Sequence, residues 1–71
     1  MTFYIYTASF SDAEKVLNFI KANNLQHTFV TFNKAYMLGF AKLYVIQVFL
    51  TGAEIDKYLD TLEDFRLSVA P

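Results

Sequence analysis

The chain has 71 residues, 55% of them apolar and 18% aromatic, with six basic and seven acidic side chains and no cysteine. A chain this short forms one core and buries only about 60% of its unfolded surface, so an assembly or a partner is expected to add to its stability. The lack of cysteine excludes disulfides, thiolate metal sites and iron–sulfur clusters, one histidine cannot build a histidine-rich metal site, and a formal charge of −1 supplies no basic stripe for phosphates. The expectation is a single domain over 1–71, cytoplasmic, with no cofactor and no nucleic-acid partner.

Thr2 to Ala8 is rich in aromatic and β-branched residues and reads as a strand; it lacks the basic and leucine-rich parts of a cleaved signal. Ser11-Asp12-Ala13-Glu14 then has the Ser-x-x-Glu pattern that satisfies free amides at a helix start. Ala13, Val16, Leu17 and Ile20 fall on one helical stripe with Phe19 beside it, and Asn23-Asn24 supplies a stop, because Asn tolerates the left-handed conformation.

His27 to Asn33 alternates as a strand with two partly apolar faces, and Lys42 to Leu50 is nearly continuously apolar, as in a central strand. The stretch from Ala35 to Ala53 has Lys42 as its single charge and is about long enough to span a bilayer. The cost of burying Lys42, the polar Gln47 and the β-branched bias of Tyr44 to Phe49 favour a buried strand instead, so no membrane partner is expected.

Between the two middle strands, Lys34 to Ala41 carries Tyr36, Met37, Leu38 and Phe40 where polar turn residues are usual. These four are the candidate partner-binding tip; the alternative is that the segment lengthens the strands around a tight turn at Gly39.

Thr51-Gly52-Ala53-Glu54 forms a second capping box, with Leu50 and Ile55 placed for a hydrophobic staple. Ile55, Tyr58, Leu59 and Leu62 continue the stripe, and Phe65 to Val69 alternates apolar and polar like a last, half-exposed strand. The resulting β-α-β-β-α-β order predicts an α+β, ferredoxin-like domain: a four-stranded antiparallel sheet with both helices on one face.

If Phe3, Ile5, Val30, Phe32, Ile46 and Val48 face the helices, alternation sends Tyr4, Tyr6, Phe29, Val45 and Phe49 to the open side, with Thr31 and Gln47 among them. A contiguous apolar face of that kind is uncommon on a monomer and is enriched in the residue types of interface cores. The simplest expectation is a homodimer joined through this sheet face.

The polar residues are weaker signals. Glu54, Asp56, Asp60, Glu63 and Asp64 gather acids on or near the second helix, a solvated surface that can also speed association with a basic partner. They lack a nucleophile or histidine beside them, so no catalytic residue is assigned. Ser9 and Ser11 read as caps and His27 as an ordinary strand-boundary residue.

Two families share the topology. Phe3-Tyr4-Ile5-Tyr6 and Leu38-Gly39-Phe40-Ala41 resemble the two signature segments of RNA-recognition motifs, which set aromatics on the first and third strands to stack bases. The chain departs from that pattern at Leu38, where Lys or Arg is wanted, at Lys42, where an aromatic is wanted, and at Val45, where Phe or Tyr is wanted. ACT-type regulatory domains are similar in length and strand order, which implies a small ligand held between paired copies; Ala8-Ser9-Phe10-Ser11 lacks their glycine-containing turn. The residues themselves point to a non-enzymatic interaction protein that binds a partner protein's surface. It would act as an adaptor or as an inhibitor of the size viruses and phages deploy.

Overall fold

In a computed structural model the backbone is described for residues 1–36 and 39–69, and side chains for all of these except 34–36 and 39–40. The elements are β1 (Thr2–Thr7), α1 (Phe10–Ala22), β2 (Gln26–Tyr36), β3 (Gly39–Phe49) and α2 (Gly52–Ser68). The strands form a three-stranded sheet in the order β1-β3-β2, and β3 is antiparallel to both neighbours. β1 and β2 are therefore parallel, with β3 inserted between them and α1 connecting them.

The alternation of β1 dictates where the core sits. Phe3, Ile5 and Thr7 are buried and pair with Val48, Ile46 and Tyr44, whereas Thr2, Tyr4 and Tyr6 are exposed. The buried strand residues join Ala13, Val16, Leu17 and Ile20 of α1 and Leu62 of α2 in one core, so both helices cover the same side of the sheet. Phe19 of α1 meets Tyr58 and Phe65 of α2 with ring centroids 6.0 and 5.4 Å apart, and the Arg66 guanidinium sits 4.5 Å from the centre of the Phe3 ring.

Local chemistry explains each helix end, with one shift from expectation. The N-cap of α1 is Ser9, whose hydroxyl accepts from the Asp12 amide at 3.2 Å, two residues before the expected start at Ser11. The buried Thr7 hydroxyl accepts from the Ser9 amide at 3.1 Å, which ties the strand end to the cap and draws the helix start forward. At the other end Asn24 has φ 54°, the Leu25 amide donates to the Ile20 carbonyl at 3.1 Å and the Asn24 amide to Lys21 at 3.2 Å. This is a Schellman closure, with Leu25 and Ile20 both buried as its hydrophobic contact. Asn24→Ala is expected to lower stability by about 1 kcal/mol, because a Cβ-bearing residue without a local side-chain hydrogen bond is strained at positive φ; urea titration followed by circular dichroism measures it. The capping box of α2 forms as the sequence predicts: the Thr51 hydroxyl accepts from the Glu54 amide at 3.3 Å, and the Glu54 carboxylate accepts from the Thr51 amide at 2.9 Å.

The fourth strand expected over Phe65 to Val69 does not form: Phe65 to Ser68 is the last turn of α2 and Val69 its C-cap, and the described sheet has three strands, not four. Nothing between Leu62 and Val69 breaks a helix, and Leu62, Phe65 and Val69 lie at i, i+3 and i+7 on its core-facing side. The strand-like alternation was carried by Leu67, which is 83% exposed. One edge of β1 is consequently unpaired among the described residues. Met1 and Leu50 exchange both backbone hydrogen bonds, at 2.9 and 2.8 Å, which fixes the phase of the ladder. The outward N–H and C=O groups on that edge belong to Thr2, Tyr4 and Tyr6.

The segment from Lys34 to Ala41, expected as a connection, mostly lengthens β2 and β3 into an 11-residue pair. β1 stops at Thr7 opposite Tyr44, but β2 and β3 stay paired from Phe32–Leu43 to Tyr36–Gly39. This two-stranded arm accounts for the elongated outline of 45 × 19 × 18 Å. Among the described residues no helix is long and apolar enough to cross a membrane.

Candidate functional site

The side of the sheet away from the helices can be built row by row from the pairing. Thr2, Phe49 and Gln26 form one row; Tyr4, Gln47 and Thr28 the next; Tyr6, Val45 and Val30 the third; Leu43 and Phe32 a fourth, on the arm. Tyr4 is 42% exposed, Tyr6 47%, Val30 44% and Phe32 53%, while Val45, Leu43 and Phe49 are half-buried. None of these residues carries a charge; the next row along the arm pairs Ala41 with the charged residue Lys34.

The second row is a polar strip across all three strands. The Thr28 hydroxyl donates to the Gln47 carbonyl oxygen at 3.1 Å, and the Gln47 amide donates to the Tyr4 hydroxyl at 3.1 Å. Gln47 is thereby held flat along the sheet with its donor and acceptor both used. The Tyr4 ring stacks on Tyr6, centroids 6.1 Å apart and planes 14° from parallel, so the polar strip merges into the apolar rows. The arm continues this two-sidedness: Phe32 and Leu43 stand on the open side, Asn33 and Lys42 on the other.

Of the residues expected on the open side, Tyr4, Tyr6, Val45, Phe49 and Gln47 stand there, and Phe29 and Thr31 do not. Phe29 pairs with Ile46 on the helix side, where its ring lies parallel to Tyr44 at 6.1 Å; Tyr44 also meets Phe10 edge-on at 5.6 Å. The corresponding correction puts Val30 and Phe32, expected under the helices, on the open side. Both faces of β2 are partly apolar, so its composition does not orient it; the hairpin does. Two residues separate the paired Tyr36 and Gly39, and that even spacing brings Phe29 opposite an even-numbered residue of β3. Loop parity was the signal that identifies Thr28, Val30 and Phe32 as open-face residues, and alternation with Val45 adds Leu43. Of the candidate tip, Met37 and Leu38 lie outside the described residues, as do the side chains of Tyr36 and Phe40.

The rest of the surface carries less chemistry. The His27 Nδ1–H donates to the Leu25 carbonyl at 2.9 Å, a local contact at the strand start. Asp56, Asp60 and Asp64 are exposed on α2, and Glu54 is engaged in the cap. A shallow depression is lined by Thr61, Asp64, Phe65 and Ser68, all from that one helix. Among the described residues no group of three acidic or histidine side chains is placed to hold a metal, and every buried side-chain nitrogen and oxygen has a hydrogen-bond partner. Compared with protein-family models, with curated proteins and with solved structures, the chain matches none.

Proposed function

We propose that this chain is a non-enzymatic protein-interaction module, an adaptor or inhibitor that works by covering a surface of a partner protein. A single observation carries the reading: a largely apolar sheet face, uncharged through its Phe32–Leu43 row and with Tyr4, Tyr6, Val30 and Phe32 each more than two-fifths exposed, continues onto a hairpin arm. Contiguous apolar patches of this kind mark association surfaces, and Tyr and Phe are the residue types that anchor them. A two-stranded hairpin is at best marginally stable in water without a third strand or a helix against it, so covering the arm also stabilises it. The element order through α2 follows the first five elements of the ferredoxin-like plan, which leaves one sheet face without helices. On sequence grounds the proposed surface extends to the tip residues Tyr36, Met37, Leu38 and Phe40.

Affinity capture from host extract tests this, with three baits compared against the native chain. Phe32→Lys, on the open side of the arm, and the double variant Tyr36→Ala/Phe40→Ala are expected to lose a protein that the native chain retains. Thr31→Lys, on the opposite side of β2, is expected to keep it. Equal capture by all four folded baits, or capture of nothing by any of them, contradicts the proposal.

A further inference from the structure

Resting on the reading of the open face as a protein-binding surface, we infer that its principal occupant is a second copy of this chain, packed sheet to sheet about a two-fold axis. Charge is the first argument. A two-fold axis sets a surface against itself, so a charge near the axis meets its own sign, and the centre of a self-binding face must be nearly charge-free. The described charged side chains lie on the helices or the helix side of β3, and the open-face rows from Thr2–Phe49–Gln26 to Phe32–Leu43 have none; the first charged residue in the sequence of rows is Lys34, paired with Ala41 one row further out and away from the centre of the face. A partner of unlike sequence would not require this.

Size is the second argument. An 11-residue hairpin is about 37 Å long and two strands wide, and the six residues of β1 add about 20 Å of a third strand. In flat projection this is roughly 450 Å² per copy, about 900 Å² for the pair, the size class of weak, transient association.

The distribution of polarity is the third. The Tyr6–Val45–Val30 and Phe32–Leu43 rows lie near the middle of the long face, with the hydrogen-bonded Tyr4–Gln47–Thr28 row to one side. Stacking two such faces about the middle rows buries Tyr, Phe, Val and Leu at the centre and leaves the polar strip toward the rim, which is the anatomy of association surfaces. Each arm then lies against the partner's sheet at the usual spacing of about 10 Å.

Sedimentation equilibrium of the full chain, from low micromolar to near-millimolar concentration, tests the inference. The native chain and Thr31→Lys are expected to reach the mass of a dimer, and Val30→Lys and Phe32→Lys to weaken association at least tenfold. Val30 and Phe32 are exposed in the single chain, so circular dichroism of both variants at low concentration is expected to match the native chain. A native chain that stays monomeric throughout overturns the inference, as does a dimer that survives both lysines, which would place the contact elsewhere, such as the free β1 edge. A monomer whose captured partner is still lost on Phe32→Lys overturns the second-copy occupant alone and leaves the interaction-module reading standing.

Discussion

Ile46→Ala is expected to destabilise the domain by about 2–5 kcal/mol, the cost of deleting buried methyl groups plus the cavity left behind. Ile46 is fully buried at the centre of β3, paired with Ile5 on one side and Phe29 on the other, under the helices. A chain of 71 residues has only about 4–10 kcal/mol of stability, so this one change removes a large share of it. Its neighbour Val45 points to the opposite face and is half-buried, so Val45→Ala, measured where the chain is monomeric, is expected to cost less than about 1.5 kcal/mol. Urea titrations of the two variants compare the faces directly. The reverse order, Val45 more costly than Ile46, would mean that the helices lie on the other side of the sheet.

Asp64→Pro is the second large effect, expected to cost about 3 kcal/mol or more. Asp64 is exposed, so nothing is lost from its own side chain; the damage is to the backbone. Within α2 a proline removes an i→i−4 hydrogen bond and collides with the preceding turn, and it stands between Leu62, the buried residue of the helix, and its buried C-cap Val69. Losing the last turn releases the contacts of Phe65 with Phe19 and of Arg66 with Phe3. If residues 65–69 were a strand reached through a turn at Glu63-Asp64, proline at that turn would be tolerated. A thermal or urea midpoint unchanged by Asp64→Pro would therefore restore the fourth strand.

How far the sequence could be read follows from how locally each feature is encoded. Helix ends were legible because caps are short-range chemistry: the Thr51–Glu54 box and the Asn24 reversal need only the residues within one turn. Ser9 was harder, since its preference over Ser11 depends on the Thr7 hydroxyl being buried beside it. β1 and β3 oriented themselves, because the same face of each meets the helices. β2 did not, because Phe29 and Val30 are equally suited to either face and only the parity of the hairpin separates them. The last segment was misread for a related reason: five residues can satisfy period two and period 3.6 at once, and what decides is the uninterrupted helix before them. The open face was thus legible as an apolar surface from composition and alternation, while half of its membership required the register.

The most direct measurement is hydroxyl-radical footprinting of the purified chain at rising concentration, read residue by residue by mass spectrometry. Phe10 and Leu67, exposed by 54% and 83% away from the open face, serve as internal references for Tyr6 at 47% and Phe32 at 53%. If two copies meet through the open face, Tyr4, Tyr6, Val30 and Phe32 lose reactivity together as concentration rises while Phe10 and Leu67 stay oxidised. Tyr6 and Phe32 that remain as reactive as Phe10 at every concentration would contradict self-association through this face.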